Sequence, residues 1–280
     1  MNTTHANEFD VNPEFLPSEE LWQLVEMLLP LWPDKPKGGR PPMPDKQAFF
    51  AIHYILVTGI QWKALPRSLG APSTVHDRFP KWVRLGLFLD LWRLGVHTYD
   101  HVLPLMWEWQ VMDGAITKAP LGGENTGPNP TDRARRGTKR HLLTDGRGIP
   151  LALVVSGANR NDFKETKAVL DNLVMARPQP TTRKQQNLCL DKGCDYPEVA
   201  KIVAAYGYTA HLRRRGEEHA QEKNIPGYRA RHWVVERTHR WMNRNRRLLI
   251  RWEKKTANYE AFLHLACAII AVRSTLAVFG

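Results

Sequence analysis

Cysteine is scarce in this chain, with three in 280 residues: Cys189, Cys194 and Cys267. None forms a CxxC pair, so the spacing supports neither a zinc ribbon nor a disulfide framework. Cys189 and Cys267 stand in apolar runs and read as small buried residues. A long uncharged apolar stretch is also lacking. The longest run, residues 261–278, contains His264, Arg273 and Ser274 and reads as a buried helix rather than a membrane span. The opening MNTTHANEFDVNPEF has no basic start followed by an apolar run, so it does not read as a secretory signal. A cytoplasmic, reducing location without a membrane partner is therefore expected. Acid is short too: 28 Asp and Glu stand against 40 Lys and Arg, a net charge of +12. Residues 213–255 alone hold 14 Lys or Arg and 5 acids, a surplus of nine. Charge concentrated in this way points to a polyanionic partner, most commonly nucleic acid, rather than to charge kept for solubility.

What is present divides the chain at about residue 105. Residues 1–17 show no periodic pattern and are expected to be disordered. Residues 18–105 read as all-α. LWQLVEMLLPLW has helical spacing, with Pro17, Ser18 and Glu20 as start signals and an end between Pro30 and Pro33. PDKPKGGRPPMP is a linker. Asp45 is expected to cap the helix KQAFFAIHYILVTG, which closes at Gly59. A short helix, LPRSL, stops at Gly70. Ser73 starts another, with Val75, Phe79, Trp82 and Val83 at helical spacing. The series reads as helix-turn-helix, though any small helical bundle shows similar spacing. Pro80 is expected to break the last helix, leaving residues 73–79 to read a groove through Thr74, His76, Asp77 and Arg78. The alternative is that these four are merely solvated.

From residue 106 to 280 the pattern changes to that of an α/β domain around a mixed sheet. VMDGAI reads as a strand, and GGENTGPNPTDRARRGT as a polar loop. RHLLTDGRGIPLALVVSGA reads as a hairpin turning at Asp145 and Gly146. NDFKETKAVLDNLVM is a helix capped by Asn161 or Asp162. NLCLD is a buried strand, YPEVAKIVAAYG a helix and YTAHLRRR a strand, and two long helices end the chain. Arg133, Arg135, Arg136, Lys139 and Arg140 make residues 126–140 a candidate backbone-contacting loop.

Three acids stand in contexts that fit together. Asp191 follows the apolar Leu188, Cys189 and Leu190, at the carboxyl end of a strand where α/β folds place their sites. Asp195 suits the neighbouring helix cap better. Asp113 lies in a strand row with Val111 and Ala115. It is either a costly buried carboxylate that needs a partner or metal, or part of an Asp-Gly turn. Glu236, Arg240, Asn243 and Arg247 fall at offsets of 0, 4, 7 and 11, a polar stripe beside an apolar one of Val235, Met242, Leu249, Val234, Trp241, Leu248 and Trp252. Glu236 could equally be half of an i,i+4 surface pair. Two Asp and one Glu could hold two Mg²⁺ (or Mn²⁺) ions about 3.5–4 Å apart, with phosphate oxygens completing the shell. A zinc site at His232 and His239 matches no familiar ligand spacing.

The segments GPNPTDRARRGTKRHLLTDGRGIPLALVVSGANRND, LCLDKGCDYPEV, AHLRRRGEE and RHWVVERTHRWMNRNRRLLIRWEKKTANYEAFLHLACAIIA resemble bacterial insertion-sequence transposases of the DDE type, insertion sequence family five. The stretch from LWQLVEMLLP to PSTVHDRFPKW resembles their DNA-binding front end, so the resemblance spans about residues 18 to 275. It implies an RNase H-like catalytic domain preceded by the helix-turn-helix-type domain. It also implies Mg²⁺-dependent cleavage and strand transfer, and recognition of terminal inverted repeats. Its first Asp falls on Asp113, its second on Asp191 and its Glu on Glu236. The separations of 78 and 45 residues leave no room for a large insert in the second gap. Arg237, Arg240, Arg244 and Arg247 are expected to meet phosphates. Double-stranded DNA is the expected partner, with a homodimer or higher oligomer assembled on the ends, in the bacterial cytoplasm at the nucleoid. The signature around Glu236 is imperfect: Tyr228 fits its Tyr, and Arg229 or Arg231 its Arg. Asn243 and Arg244 stand seven and eight residues past Glu236, where a Lys is the pattern. Cys194 and Pro80 depart as well. A domesticated or decayed transposase that only binds DNA is the alternative, and a stand-alone nuclease would not need the helical front end.

Overall fold

In a computed structural model, residues 9–30, 41–191, 196–212 and 231–279 are described. The order is α1 (Glu19–Leu28), α2 (Asp45–Thr58), α3 (Pro72–Arg84), α4 (Leu87–Val102), β1 (Trp109–Lys118), β2 (Gly127–Pro128), β3 (Arg136–Asp145), β4 (Pro150–Gly157), α5 (Asp162–Asp171), β5 (Gln186–Leu190), α6 (Pro197–Ala205), β6 (Tyr208–Leu212), α7 (Trp233–Asn243) and α8 (Thr256–Leu276). β1, β3 and β4 form an antiparallel meander, with the short β2 on the edge of β3 away from β1. β5 and β6 join β1 in parallel, each entered through a helix. The resulting order β4-β3-β1-β5-β6 is the mixed sheet of the expected RNase H-like domain.

Alternation along β1 gives both sheet faces a core. Val111 and Leu142 belong to one hydrophobic cluster with residues of α7 and α8. Met112 and Leu143 belong to another with Val169, Leu188, Val199 and Val203, under α5 and α6. α8 is apolar on nearly every side because it lies between the sheet and α4. Its length and composition would suffice to cross a membrane, but it is a core helix here. The first cluster also takes in α1 to α4, and the Trp92 indole of α4 donates to Pro150 O of β4 at 3.1 Å. The helical front end and the sheet therefore share one core, and residue 105 marks a change of secondary structure, not of packing.

Several local expectations are corrected. Residues 9–17 are ordered: Asn12 caps a 3-10 turn at Pro13–Phe15, and Phe9 and Leu16 are buried. Residues 1–8 lie outside the described residues. Asp45 is not a cap but the first residue of α2, taken up by Arg78. LPRSL is a single 3-10 turn, Arg67–Leu69. α3 runs through Pro80 to Arg84, because Phe79 and Trp82 on either side are buried and their packing outweighs the hydrogen bond that proline removes. The long arginine-rich helix ends at Asn243. A 3-10 turn, Arg246–Leu248, and an extended stretch follow, so the apolar stripe does not continue and Leu249 and Trp252 are exposed. The 3-10 turn packs against the end of α2: a Cβ on Gly59, its left-handed C-cap, would lie 3.0 Å from the backbone of Arg246.

Candidate active site

Register brings the two aspartates together. Val111 of β1 pairs in parallel with Cys189 of β5. Asp113 and Asp191 each lie two residues further, side by side with Asp113 mid-strand and Asp191 just past the end of β5, and line one small cleft with Gly114, His141 and Asp162. Asp113 is within the strand, opposite Leu142, so its Asp-Gly dipeptide is not a turn. Gly114 is needed for another reason: a Cβ there would sit 2.1 Å from Asp162 Oδ1. Burial pushes the Asp113 carboxyl above its ordinary range. His232 and the Gly114 N–H pull it down, and the charges of Asp162 and Asp191 push it further up.

Sequence marks Asp162 only as a helix cap. Asn161 takes the N-cap position without a side-chain bond, and Asp162 turns to the sheet instead. The Lys139 ammonium donates to its Oδ2 at 3.2 Å, and His141 Nδ1 lies 3.1 Å from Oδ1, close enough for an ion pair but without hydrogen-bond alignment. Burial raises this carboxyl, but His141 and Lys139 outweigh it and hold Asp162 below the usual carboxylate range. The signal for Asp162 is the pair of cap-type residues in a row, one more than a helix needs.

α7 covers Asp113. His232 Nε2 and His239 Nε2 lie 3.8 Å from Asp113 Oδ1 and Oδ2 respectively. Glu236 stands four residues after one and three before the other, on the same helix face. Its carboxylate is half exposed and 3.9 Å from Arg240. Burial, with Arg140 nearby, lowers His239 to about 3, so it is a neutral ring. Neither of its ring nitrogens has a hydrogen-bond partner among the described residues. Three bonds pin α7 to the β3–β4 hairpin. Thr238 Oγ1 donates to Gly148 O at 2.8 Å, Arg237 donates to Arg147 O, and Arg140 donates to Asn243 Oδ1 at 2.6 Å.

An acidic cleft of oxygen donors suits a hard divalent cation, which would offset the burial and the neighbouring charges that raise Asp113. Among the described residues, no three His, Cys, Asp or Glu side chains are gathered as a complete metal-binding group. Asp113 and Asp191 share the cleft, while Glu236 faces it from α7 without lining it.

The candidate DNA-contacting residues divide sharply. Thr74, His76, Arg133, Arg135, Arg136, Arg240 and Arg244 are exposed. Arg78 is not: it pairs with Asp45, donates to Met43 O at 3.1 Å and lies over Trp82. Lys139 is spent on Asp162 and Arg160 O. Arg140 is buried beneath α7. Arg237 lies between the Trp233 and Trp241 rings. Arg247 is buried on Glu253, with bonds of 2.6 and 2.8 Å. For Arg78, Lys139 and Arg140 a partner distant in sequence turns a predicted surface cation inward; for Arg237 and Arg247 near neighbours in the chain do so. Residues 192–195 and 213–230, with Lys192, Cys194, Asp195, Tyr228 and Arg229, lie outside the described residues.

Comparison with known proteins agrees with this geometry. Residues 18–92 match the family described as "Putative transposase of IS4/5 family", and residues 110–271, over half the chain, match "Transposase DDE domain". The "Putative transposase for insertion sequence element IS402" of Burkholderia cepacia is 38% identical over 152 residues, 53% of this chain and 69% of that protein. The "Insertion element IS402 uncharacterized 16.2 kDa protein" of the same organism is 30% identical over 118 residues, 40% of this chain and 79% of that protein. Similarity to solved structures is remote. The catalytic domain of Mos1 mariner transposase is 10% identical, covering 67% of this chain and 91% of that one, with a TM-score of 0.28. On the two family matches, which together take in the helical front end and the sheet with its three acids, the chain belongs to the DDE transposases of insertion sequences.

Proposed function

We propose that this transposase binds the terminal inverted repeats of its own element, cuts there and joins the freed 3′-hydroxyl to target DNA. The observation that carries this is the cleft shared by Asp113 and Asp191, with the Glu236 face of α7 turned toward it. Asp113 and Asp191 would hold Mg²⁺ or Mn²⁺, two ions in the full site, and Glu236 would turn in from the surface to complete the protein ligands. Bound there, the cations supply activation of the attacking hydroxyl and neutralisation of the leaving oxygen. His232 and His239 flank the Asp113 carboxylate at 3.8 Å. Arg133, Arg135, Arg136, Arg240 and Arg244 remain as phosphate contacts, and Thr74 and His76 as groove contacts. Arg78, Lys139, Arg140 and Arg247 support the fold and leave the DNA-binding set. Arg237 acts through the hairpin. The front end, residues 18–105, would recognise the ends, and the sheet with its helices, 106–280, would do the chemistry. An element has two ends, so a dimer or larger assembly on them is proposed, formed at the nucleoid.

The test is cleavage of a labelled inverted-repeat duplex beside a gel shift on the same DNA. Asp113→Asn, Asp191→Asn and Glu236→Gln should each abolish cleavage and joining while binding the duplex as well as the parent or better. Activity of the parent should require Mg²⁺ or Mn²⁺ and vanish with chelator. Substantial cleavage by any one variant removes that residue from the site. A protein that binds the ends without cutting them would favour the alternative of a decayed transposase.

A further inference from the structure

A cavity of about 600 Å³ opens between the end of α2, α3 and residues 252–258, apart from the acidic cleft. Trp62 and His76, in edge contact at 5.1 Å, line it together with Leu121, Trp252 and Lys254. Trp62 is braced by Phe79 at 5.4 Å and Phe262 at 6.1 Å, so its ring cannot turn freely. Trp252 is 41% exposed and Leu121 53%, large apolar surfaces that the fold leaves uncovered. Glu253 also lines the cavity and is buried. Its Oε1 takes both bonds from Arg247, and its Oε2 has no hydrogen-bond partner among the described residues. The flanking Lys63, Lys254 and Lys255 are all exposed.

We propose that this cavity is a second DNA subsite that takes one unpaired base, stacked between Trp252 and Trp62. This inference rests on the DNA-binding reading above. A base offers two apolar faces for aromatic stacking. The neighbouring lysines suit the phosphates on either side of it. A protein segment would cover the apolar rings but would have no use for three cations around them. Position supports the same occupant. His76, on the face of α3 proposed to contact DNA, opens onto the rim. The segment that holds Trp252 is tied to the sheet by the Arg251 N–H, which donates to Lys118 O at 2.8 Å. Lys118 is five residues along β1 from Asp113, about 17 Å of extended strand. One bound duplex can therefore reach both the cavity and the acids.

The test compares binding by the full chain to three duplexes of one sequence: fully paired, with one bulged adenine, and with an abasic bulge at the same place. The abasic duplex bends alike but offers no base. The parent should prefer the adenine bulge to the abasic one about tenfold, the scale of one base stacked on an aromatic ring. Trp252→Ala should reduce that preference below about twofold and Trp252→Phe should restore most of it, with affinity for the paired duplex unchanged in both. Equal binding of the two bulges by the parent overturns the inference alone. So does a preference that survives both Trp252→Ala and Leu121→Ser. A change from dimer to monomer in these variants, with base preference intact, also overturns it and makes the cavity an interface between copies. Failure to bind any duplex would overturn the DNA-binding reading and this inference with it.

Discussion

Two arginine-rich stretches look alike in sequence and behave in opposite ways in the fold. Arg133 and Arg135 stand on a loop where Arg133 and Ala134 both take positive φ, Arg136 opens β3, and all three residues are exposed. Arg247 and Arg251, from the most basic segment of the chain, are buried. Arg251 is 0% exposed, and donates to the carbonyls of Glu124, Asn125 and Glu253 and to the hydroxyls of Thr138 and Thr256. It clasps the β1–β2 loop, β3 and the start of α8. Arginine density alone thus does not mark a DNA-binding surface. Where carbonyls or a carboxylate converge, the fold uses the guanidinium as a fastener.

The largest effect that could break this contrast is on stability. Arg247→Ala would leave Glu253 buried without its cation, and Arg251→Met would orphan several buried carbonyls. Each should cost about 3–5 kcal/mol in denaturant melts. Replacing Arg247 and Glu253 together by Met and Leu should cost less than Arg247→Ala alone. A loss under about 1 kcal/mol for either single variant would mean that these arginines are not fasteners.

Histidine shows the same division, with an intermediate effect. His53 and His264 are lowered to about 4 by burial, and His239 to about 3, whereas His76 is exposed. A folded pKa below the unfolded value means that the unfolded chain binds more protons in that window. Stability is then full above the ordinary histidine value of about 6.5 and falls as pH drops from there toward 4. Thermal melts without metal should show Tm falling across that range. A flat Tm between those values would contradict the buried neutral rings.

The smallest structural effect belongs to the exposed loop. Changing Arg133, Arg135 and Arg136 together to Ala should leave Tm nearly unchanged. It should weaken binding to all duplexes alike and reduce the slope of log K against log salt by about 0.9 for each phosphate no longer neutralised. A large fall in Tm would move these residues to the buried class.

The sequence makes some of this legible and not the rest, for physical reasons. Strand alternation and the apolar run before Asp191 are local properties, and β1, β5 and the hairpin appear where the pattern places them. The pairing of Asp113 with Asp191 depends on register across 78 residues, and only the family resemblance supplies it. The inward turn of Arg78 and Arg140 depends on Asp45 and Asn243 arriving from elsewhere, and that of Arg247 on the chain doubling back after Asn243 to bring Glu253 beside it, which no helical stripe encodes. The packing of Arg246 against Gly59, just past the end of α7, is likewise tertiary. Asp162 is hidden because an aspartate at a helix start already has an ordinary explanation.

Whether Asp113, Asp191 and Glu236 form one cation site is tested most directly by localised oxidation of the backbone. Fe²⁺ placed in the site, with ascorbate and peroxide, generates radicals that cut the nearest peptide bonds. Breaks are expected at three places, near residues 113, 191 and 236, all suppressed by excess Mg²⁺. Breaks near 113 and 191 without one near 236, or breaks that persist in excess Mg²⁺, would contradict a single site built from these three acids.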